Sequence, residues 1–159
     1  MHFNVISSKN CSVIIYDDSE IDHRIVNFEL PSSCHYVKIF GPEIDSESVL
    51  PKYCNEFQLK TCKLGKSLTL YNVSKVEFSE VIGVFSSIII KTGNSVNVQN
   101  CKFYSLFVLN ICNFQCIDTS LTYHFKKDVK NGYDYATKIV DLFNDNGPKE
   151  SMIMSLLKI

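Results

Sequence analysis

The sequence predicts a mainly β fold: a short-repeat parallel β-solenoid closed by a C-terminal α-helical cap. Three observations predict it. Leu30-Pro31-Ser32-Ser33-Cys34 and Leu50-Pro51-Lys52-Tyr53-Cys54 open two stretches that share the frame Leu-Pro-x-x-Cys-x-x-apolar-x-apolar, twenty residues apart. A longer frame, apolar-x-x-apolar-x-apolar-x-x-z-x-apolar, starts at Cys11, Cys34, Cys54, Val73, Gly93 and Ile111, at intervals of 23, 20, 19, 20 and 18. After Leu121 the period changes, and Tyr135, Ile139, Leu142 and Phe143 fall on one helical face. A recurring step of this size marks stacked supersecondary units. Twenty residues cannot hold a strand, a full helix and their loops, so each coil should be β on both sides.

The elements follow in order along a single domain, residues 1–159. Residues 1–10 contain Phe3-Asn4-Val5, a short alternating segment suited to a leading strand over the open end of the solenoid. Residues 11–125 carry about six coils, among which Cys54, Phe57, Leu59, Cys62 and Leu64 fit the frame best. In this frame Cys11, Ile14, Tyr16 and Ile21 are the inward residues of the first coil. A second apolar beat comes about fourteen residues into each coil, as Leu68-Thr69-Leu70, Ile88-Ile89-Ile90 and Phe107-Val108-Leu109. The pairs Leu30-Pro31 and Leu50-Pro51 take that place in the earlier coils, where proline removes a ladder donor and an extended return is expected. Phe125 to Gly132 reads as a turn-rich exit. Residues 133–159 read as the cap: a helix from Tyr133 to Phe143, a stop at Asn144 to Gly147, and a second helix from Pro148 through Met152, Ile153, Leu156 and Leu157.

Composition excludes several function classes. The formal net charge is −1, so the chain lacks the cationic surplus that nucleic-acid backbones demand. Apolar runs such as Ile88-Ile89-Ile90 are too short to span a bilayer, so no membrane partner is expected. No leader pattern opens the chain. Seven cysteines, mostly at apolar positions of the repeat, read as buried thiols of a reducing cytoplasm. The richness in Ile, Asn, Lys, Phe and Tyr reflects an AT-rich genome, as in a parasite, a large DNA virus or a low-GC bacterium.

The frame from Cys54 to Leu64 resembles the conserved half of a leucine-rich repeat, in which Asn or Cys commonly fills the position held here by Cys62 and Cys101. The Leu-Pro pairs resemble the short repeats of bacterial effector-type proteins and of some protists and giant viruses. The column that would carry an asparagine ladder instead reads Ser19, Pro42, Cys62, Val81, Cys101 and Thr119. The rival resemblance is to a right-handed parallel β-helix, for which Ser95 to Phe103 and the second strand beat speak.

No catalytic set emerges. Cys112, Cys116 and His124 have a loose metal-like spacing, but Cys116 is an inward position and Cys112 is not. His2, His23, His35 and His124 are scattered. Cys34 and His35 face opposite ways on a strand. Asp17-Asp18 and Glu77 with Glu80 do not form a glycosidase pair. No cofactor or metal is expected, and the chain reads as non-enzymatic.

What remains is surface. The positions between inward residues form two columns: Lys38, Gln58, Glu77, Asn97 and Gln115, then Phe40, Lys60, Ser79, Gln99 and Ile117. In a leucine-rich fold this is the binding sheet, and its mixed polar character suits a protein partner. The expectation is a cytoplasmic protein–protein interaction module, an adaptor or antagonist of a host protein if the source is a virus or pathogen. The alternatives are a carbohydrate-binding or remnant carbohydrate-active β-helix, and a structural protein that self-assembles into a homo-oligomer through its C-terminal helix or solenoid end.

Overall fold

The computed structural model describes residues 2–6, 12–16, 25–27 and 29–141. Within them the chain is a parallel β-solenoid of about five turns. Its strands are β1 (His2–Ile6), β2 (Ser12–Tyr16), β3 (Ile25–Val26), β4 (Ser33–Phe40), β5 (Glu43–Ile44), β6 (Tyr53–Lys60), β7 (Lys63–Leu64), β8 (Leu68–Ser79), β9 (Ile82–Gln99) and β10 (Lys102–Asp141). β1 pairs antiparallel with β2. The main stack then runs parallel through β2, β4, β6, β8, β9 and β10. A shorter stack runs through β3, β5, β7 and the start of β9. The long strands bend around corners, so β9 and β10 each supply more than one side of the solenoid.

Alternation of period two makes these strands and stacking makes the core. β4 buries Cys34, Val37 and Ile39, and β6 buries Cys54, Phe57 and Leu59 in the same phase. Register turns such positions into inward columns: Val13, Val37, Phe57, Val76, Val96 and Phe114, then Ile15, Ile39, Leu59, Phe78, Val98 and Cys116. Each large apolar member removed from water contributes about 2 kcal/mol before entropy is charged. Phe57, Phe78 and Phe103 add edge-to-face ring contacts at 6.1 and 5.9 Å. The glycine in the Cys54, Val73, Gly93, Ile111 series has a steric cause. A Cβ on Gly93 would lie 3.0 Å from Val73 Cγ2 and 3.1 Å from Ile111 Cδ1, so its neighbours already fill the space.

The corners are built by single left-handed residues in two columns. One holds Gly41, Thr61, Glu80, Asn100 and Asp118, the other Asn72, Thr92, Asn110 and Asp128. Amides in the first column reach the next coil, as in Thr61 N–H to Ser79 O at 2.9 Å and Glu80 N–H to Gln99 O at 3.0 Å. The ladder therefore continues across the bend. The early returns are extended beside their prolines, with one isolated parallel bridge between Glu29 and Val49.

Four expectations are corrected. In the first coil Val13 and Ile15 point inward, paired with Val37 and Ile39, while Tyr16 is 40% exposed. A one-residue slip exchanges the two faces, and the aliphatic pair takes the core. In the second beat Leu106 and Val108 are the inward partners of Ile88 and Ile90; Phe107 and Leu109 take the other phase. The 20-residue step becomes 18 just before this beat, at the register shift between Phe103 and Ser105. Phe125 to Gly132 is not an irregular exit but part of β10, with one left-handed corner at Asp128.

The fourth correction concerns the cap. Residues 133–141 are strand, and no helix occurs among the described residues. Tyr133 and Tyr135 are exposed while Asp134 and Ala136 are half-buried, a period of two. The preceding coil offers an open parallel edge that satisfies the backbone along this segment, whereas an isolated helix of this length is marginal. The remainder of the expected cap, residues 142–159, lies outside the described residues, as do Cys11 and Asp17-Asp18.

Candidate functional site

The outward residues of the main stack form one continuous face. β-Register places Lys38, Gln58, Glu77, Asn97 and Gln115 in one column, headed by Ile14. It places Phe40, Lys60, Ser79, Gln99 and Ile117 in the next, headed by Tyr16. All ten residues anticipated for this face therefore stand side by side, nine of them half-buried and Lys60 exposed. A third outward column escaped the sequence reading: Tyr36, Glu56, Lys75, Ser95 and Asn113. Its signal was available, since position three of the frame alternates with the inward position four on a strand. Asn131 extends this column, donating through Nδ2 to Asn113 Oδ1 at 3.1 Å.

The face changes character along the solenoid axis. At the N-terminal end the Phe40 ring meets the Tyr16 ring edge-on at 4.6 Å. The ammonium groups of Lys38 and Lys60 lie 4.6 and 5.7 Å from the Phe40 centroid, within cation–π range. Lys75 and Glu77 form an open ion pair at 3.8 Å. Beyond Glu77 the three columns carry no charge: Ser95, Asn97, Gln99, Asn113, Gln115, Ile117 and Asn131. A groove of about 300 Å³ lies there, lined by Ser95, Asn97, Asn113, Gln115, Asn131, Gly132 and Tyr133 among others. Asn97 Oδ1 is buried in this region without a hydrogen-bond partner.

A second polar feature sits inside the last described coil. His124 follows Leu68, Ile88 and Leu106 along an inward column, and its Nδ1 lies 3.0 Å from Leu106 O. Its Nε2 lies 2.6 Å from Asp134 Oδ2, which also receives Lys126 Nζ at 2.8 Å. A backbone carbonyl and a carboxylate thus face the two ring nitrogens, and the fold engages both. The His124 and Asp134 side chains are 1% and 6% exposed. Burial pushes the Asp134 carboxyl up, but the hydrogen bonds and charges of His124 and Lys126 outweigh it and hold the group well below the usual carboxylate range. With both ring nitrogens engaged by the fold, this His holds a structural position. No solvent-facing lone pair is left for a base.

The thiols fit a packing role. Burial, with Cys34 next to it, pushes Cys54 up to about 12. Burial raises Cys62 to about 12, and burial with the nearby Glu80 charge raises Cys101 to about 11. Cys116 rises to about 12 through burial and the nearby Asp134 charge. Such groups remain protonated and weakly nucleophilic at neutral pH. Among the described residues no group of three or more His, Cys, Asp or Glu side chains is placed to hold a metal ion. Nor is any helix there long and apolar enough to cross a membrane.

The sequence reading also missed an apolar corner. Phe85 is 91% exposed beside Val84, at the point where the coil shortens by two residues. The chain matches no protein-family model, no curated protein and no solved structure. Its function must be argued from these surfaces.

Proposed function

We propose that the protein is a non-enzymatic interaction module that docks an acidic surface of a partner protein through the N-terminal half of its strand face. One observation carries this reading: two lysines, Lys38 and Lys60, gather around a single aromatic ring, Phe40, with Tyr16 against its edge. Two cations on a half-buried apolar ring favour a partner carboxylate with an apolar stem. Glu56 and Glu77 beside them set a charge pattern that disfavours a uniformly anionic ligand. Six strands about 4.8 Å apart and three outward columns give a face of roughly 500 Å². A stable interface buries about 800 Å² on each partner, so this face by itself supports a transient contact.

Two finer readings go with this proposal. The second left-handed corner column and the strands on the return side support a β-helix over the leucine-rich form. Buried thiols and the AT-rich composition support a cytoplasmic adaptor or antagonist that meets a host protein.

Comparative affinity capture from the native cell tests the docking reading. Wild type and the Lys38→Ala/Phe40→Ala/Lys60→Ala variant are immobilised at equal density and the retained proteins quantified. The proposal expects an acidic-surfaced protein whose recovery falls at least about tenfold with the variant, as loss of a central anchor predicts. Equal recovery of every retained protein, with both chains folded by circular dichroism, contradicts it.

A further inference from the structure

We propose that the groove at the C-terminal end of the strand face is a binding site for a neutral saccharide. The site is independent of the charged half of the face and does not require the protein contact proposed there.

The lining decides the ligand class. Asn97, Asn113, Gln115 and Asn131 each bring a side-chain amide to the groove, and Ser95 brings a hydroxyl. An amide offers two donors and one acceptor oxygen, and a sugar hydroxyl both donates and accepts. Four adjacent amides can therefore hold vicinal hydroxyls in pairs. The lining contains no Lys, Arg, Asp or Glu. A phosphate, sulfate or carboxylate would find no counter-charge, and an ammonium would find no carboxylate. Lys126 and Lys127 line a separate hollow beyond Gly132.

The groove also has an apolar component. Tyr133 lines the groove and is 52% exposed, and the Tyr135 ring stands just outside the lining, 4.4 Å from it between centroids. An exposed ring beside an amide cluster suits the C–H face of a pyranose, which is apolar while its rim is polar. A peptide strand is a poorer match. Main-chain recognition needs open backbone groups, and here the residues from Ser95 to Gln99 are laddered on both sides, to β8 and to β10. Asn97 adds an independent sign of a ligand. Its Oδ1 is a buried acceptor without a partner, a condition that burial makes costly. The planar amide can turn to pair with a hydroxyl in the groove. The volume, about 300 Å³, is at the small end of ligand sites and holds one or two sugar rings.

An array of neutral hexose and N-acetylhexosamine oligosaccharides, printed beside sialylated and sulfated ones, tests this with the full chain. Wild type is expected to retain at least one neutral oligosaccharide. Titration of that oligosaccharide should show at least about tenfold weaker binding for Asn97→Ala/Tyr133→Ala, the loss expected when buried polar groups and an aromatic contact go together. Gln115→Glu keeps the shape of the side chain and adds a charge, so it should weaken binding with the fold intact by circular dichroism. Lys38→Ala/Phe40→Ala/Lys60→Ala should bind the sugar as wild type does, which separates this site from the docking contact. No neutral ligand, retention of acidic glycans only, or unchanged affinity in both groove variants would overturn the assignment.

Discussion

Asp134 shows how much one residue can depart from its column. It follows Val98 and Cys116 at the same 18-residue step, yet it is a carboxylate where its predecessors are apolar. His124 and Lys126 make the same departure in neighbouring inward columns, so three polar groups meet where three apolar ones would otherwise stack. Each alone would be costly to bury, and together they satisfy one another. Asp134→Asn removes the only anion of the set and should cost about 3–5 kcal/mol at neutral pH, the range for breaking a buried pair. The pH dependence has a definite sign. The folded carboxyl titrates below its ordinary value of 3.8, so its stabilisation is complete above that pH and is lost as the pH falls below it. Urea melts of wild type and variant should differ fully at pH 7 and converge in strong acid; a gap that stays constant with pH contradicts the assignment. Sequence alone could not expose this set. His124 lies just before, and Lys126 within, a stretch that looked like a turn-rich exit, and Asp134 in one that looked helical.

At the scale of the element, the strands were legible because alternation and repeat agree. Val37, Phe57, Val76 and Val96 were placed inward by the frame and are inward in the fold. The phase failed where two adjacent residues are both apolar. Val13-Ile14-Ile15 and Leu106-Phe107-Val108 read equally well in either phase, and only pairing with the neighbouring coil selects one. The last strand was missed because Tyr135, Ile139, Leu142 and Phe143 also satisfy a helical period, while the open edge that recruits the segment is a tertiary fact. Corners were only partly legible. Asn72, Asn100, Asn110, Asp118 and Asp128 suit the left-handed region, but Thr61, Glu80 and Thr92 adopt it against preference. Thr92, with φ of 65° and an exposed side chain, is the plainest case. Thr92→Asn should raise stability by about 1 kcal/mol, or about 2–4 °C in Tm for a chain of this size. Thr92→Val should shift the midpoint downward. A fall in Tm for the Asn variant would show that the Thr92 side chain supplies more than its backbone strain costs.

At the scale of the molecule, the architecture separates packing from recognition. Inward columns carry the stability, and the outward columns between them are free to vary. This is why the repeat could be read and the ligand could not: the repeat is imposed by the core, whereas the chemistry of the face changes from coil to coil. Lys38, Phe40 and Lys60 become one cluster, and Asn97, Gln115 and Asn131 another, only after stacking brings residues about twenty apart to adjacent strands. The third column, with Tyr36, Glu56 and Lys75, widens the face beyond the two columns that the frame picked out.

These columns run in register along one face, and the distance between two labelled positions on it checks that arrangement. Lys38 and Gln115 are four strand steps apart through Gln58, Glu77 and Asn97. With spin labels on Lys38→Cys and Gln115→Cys, pulsed electron resonance should give one narrow distribution, centred near the ~19 Å backbone separation that four steps of ~4.8 Å predict. A broad distribution, or a separation twice that length, would contradict the stacked face and with it both binding sites assigned to it.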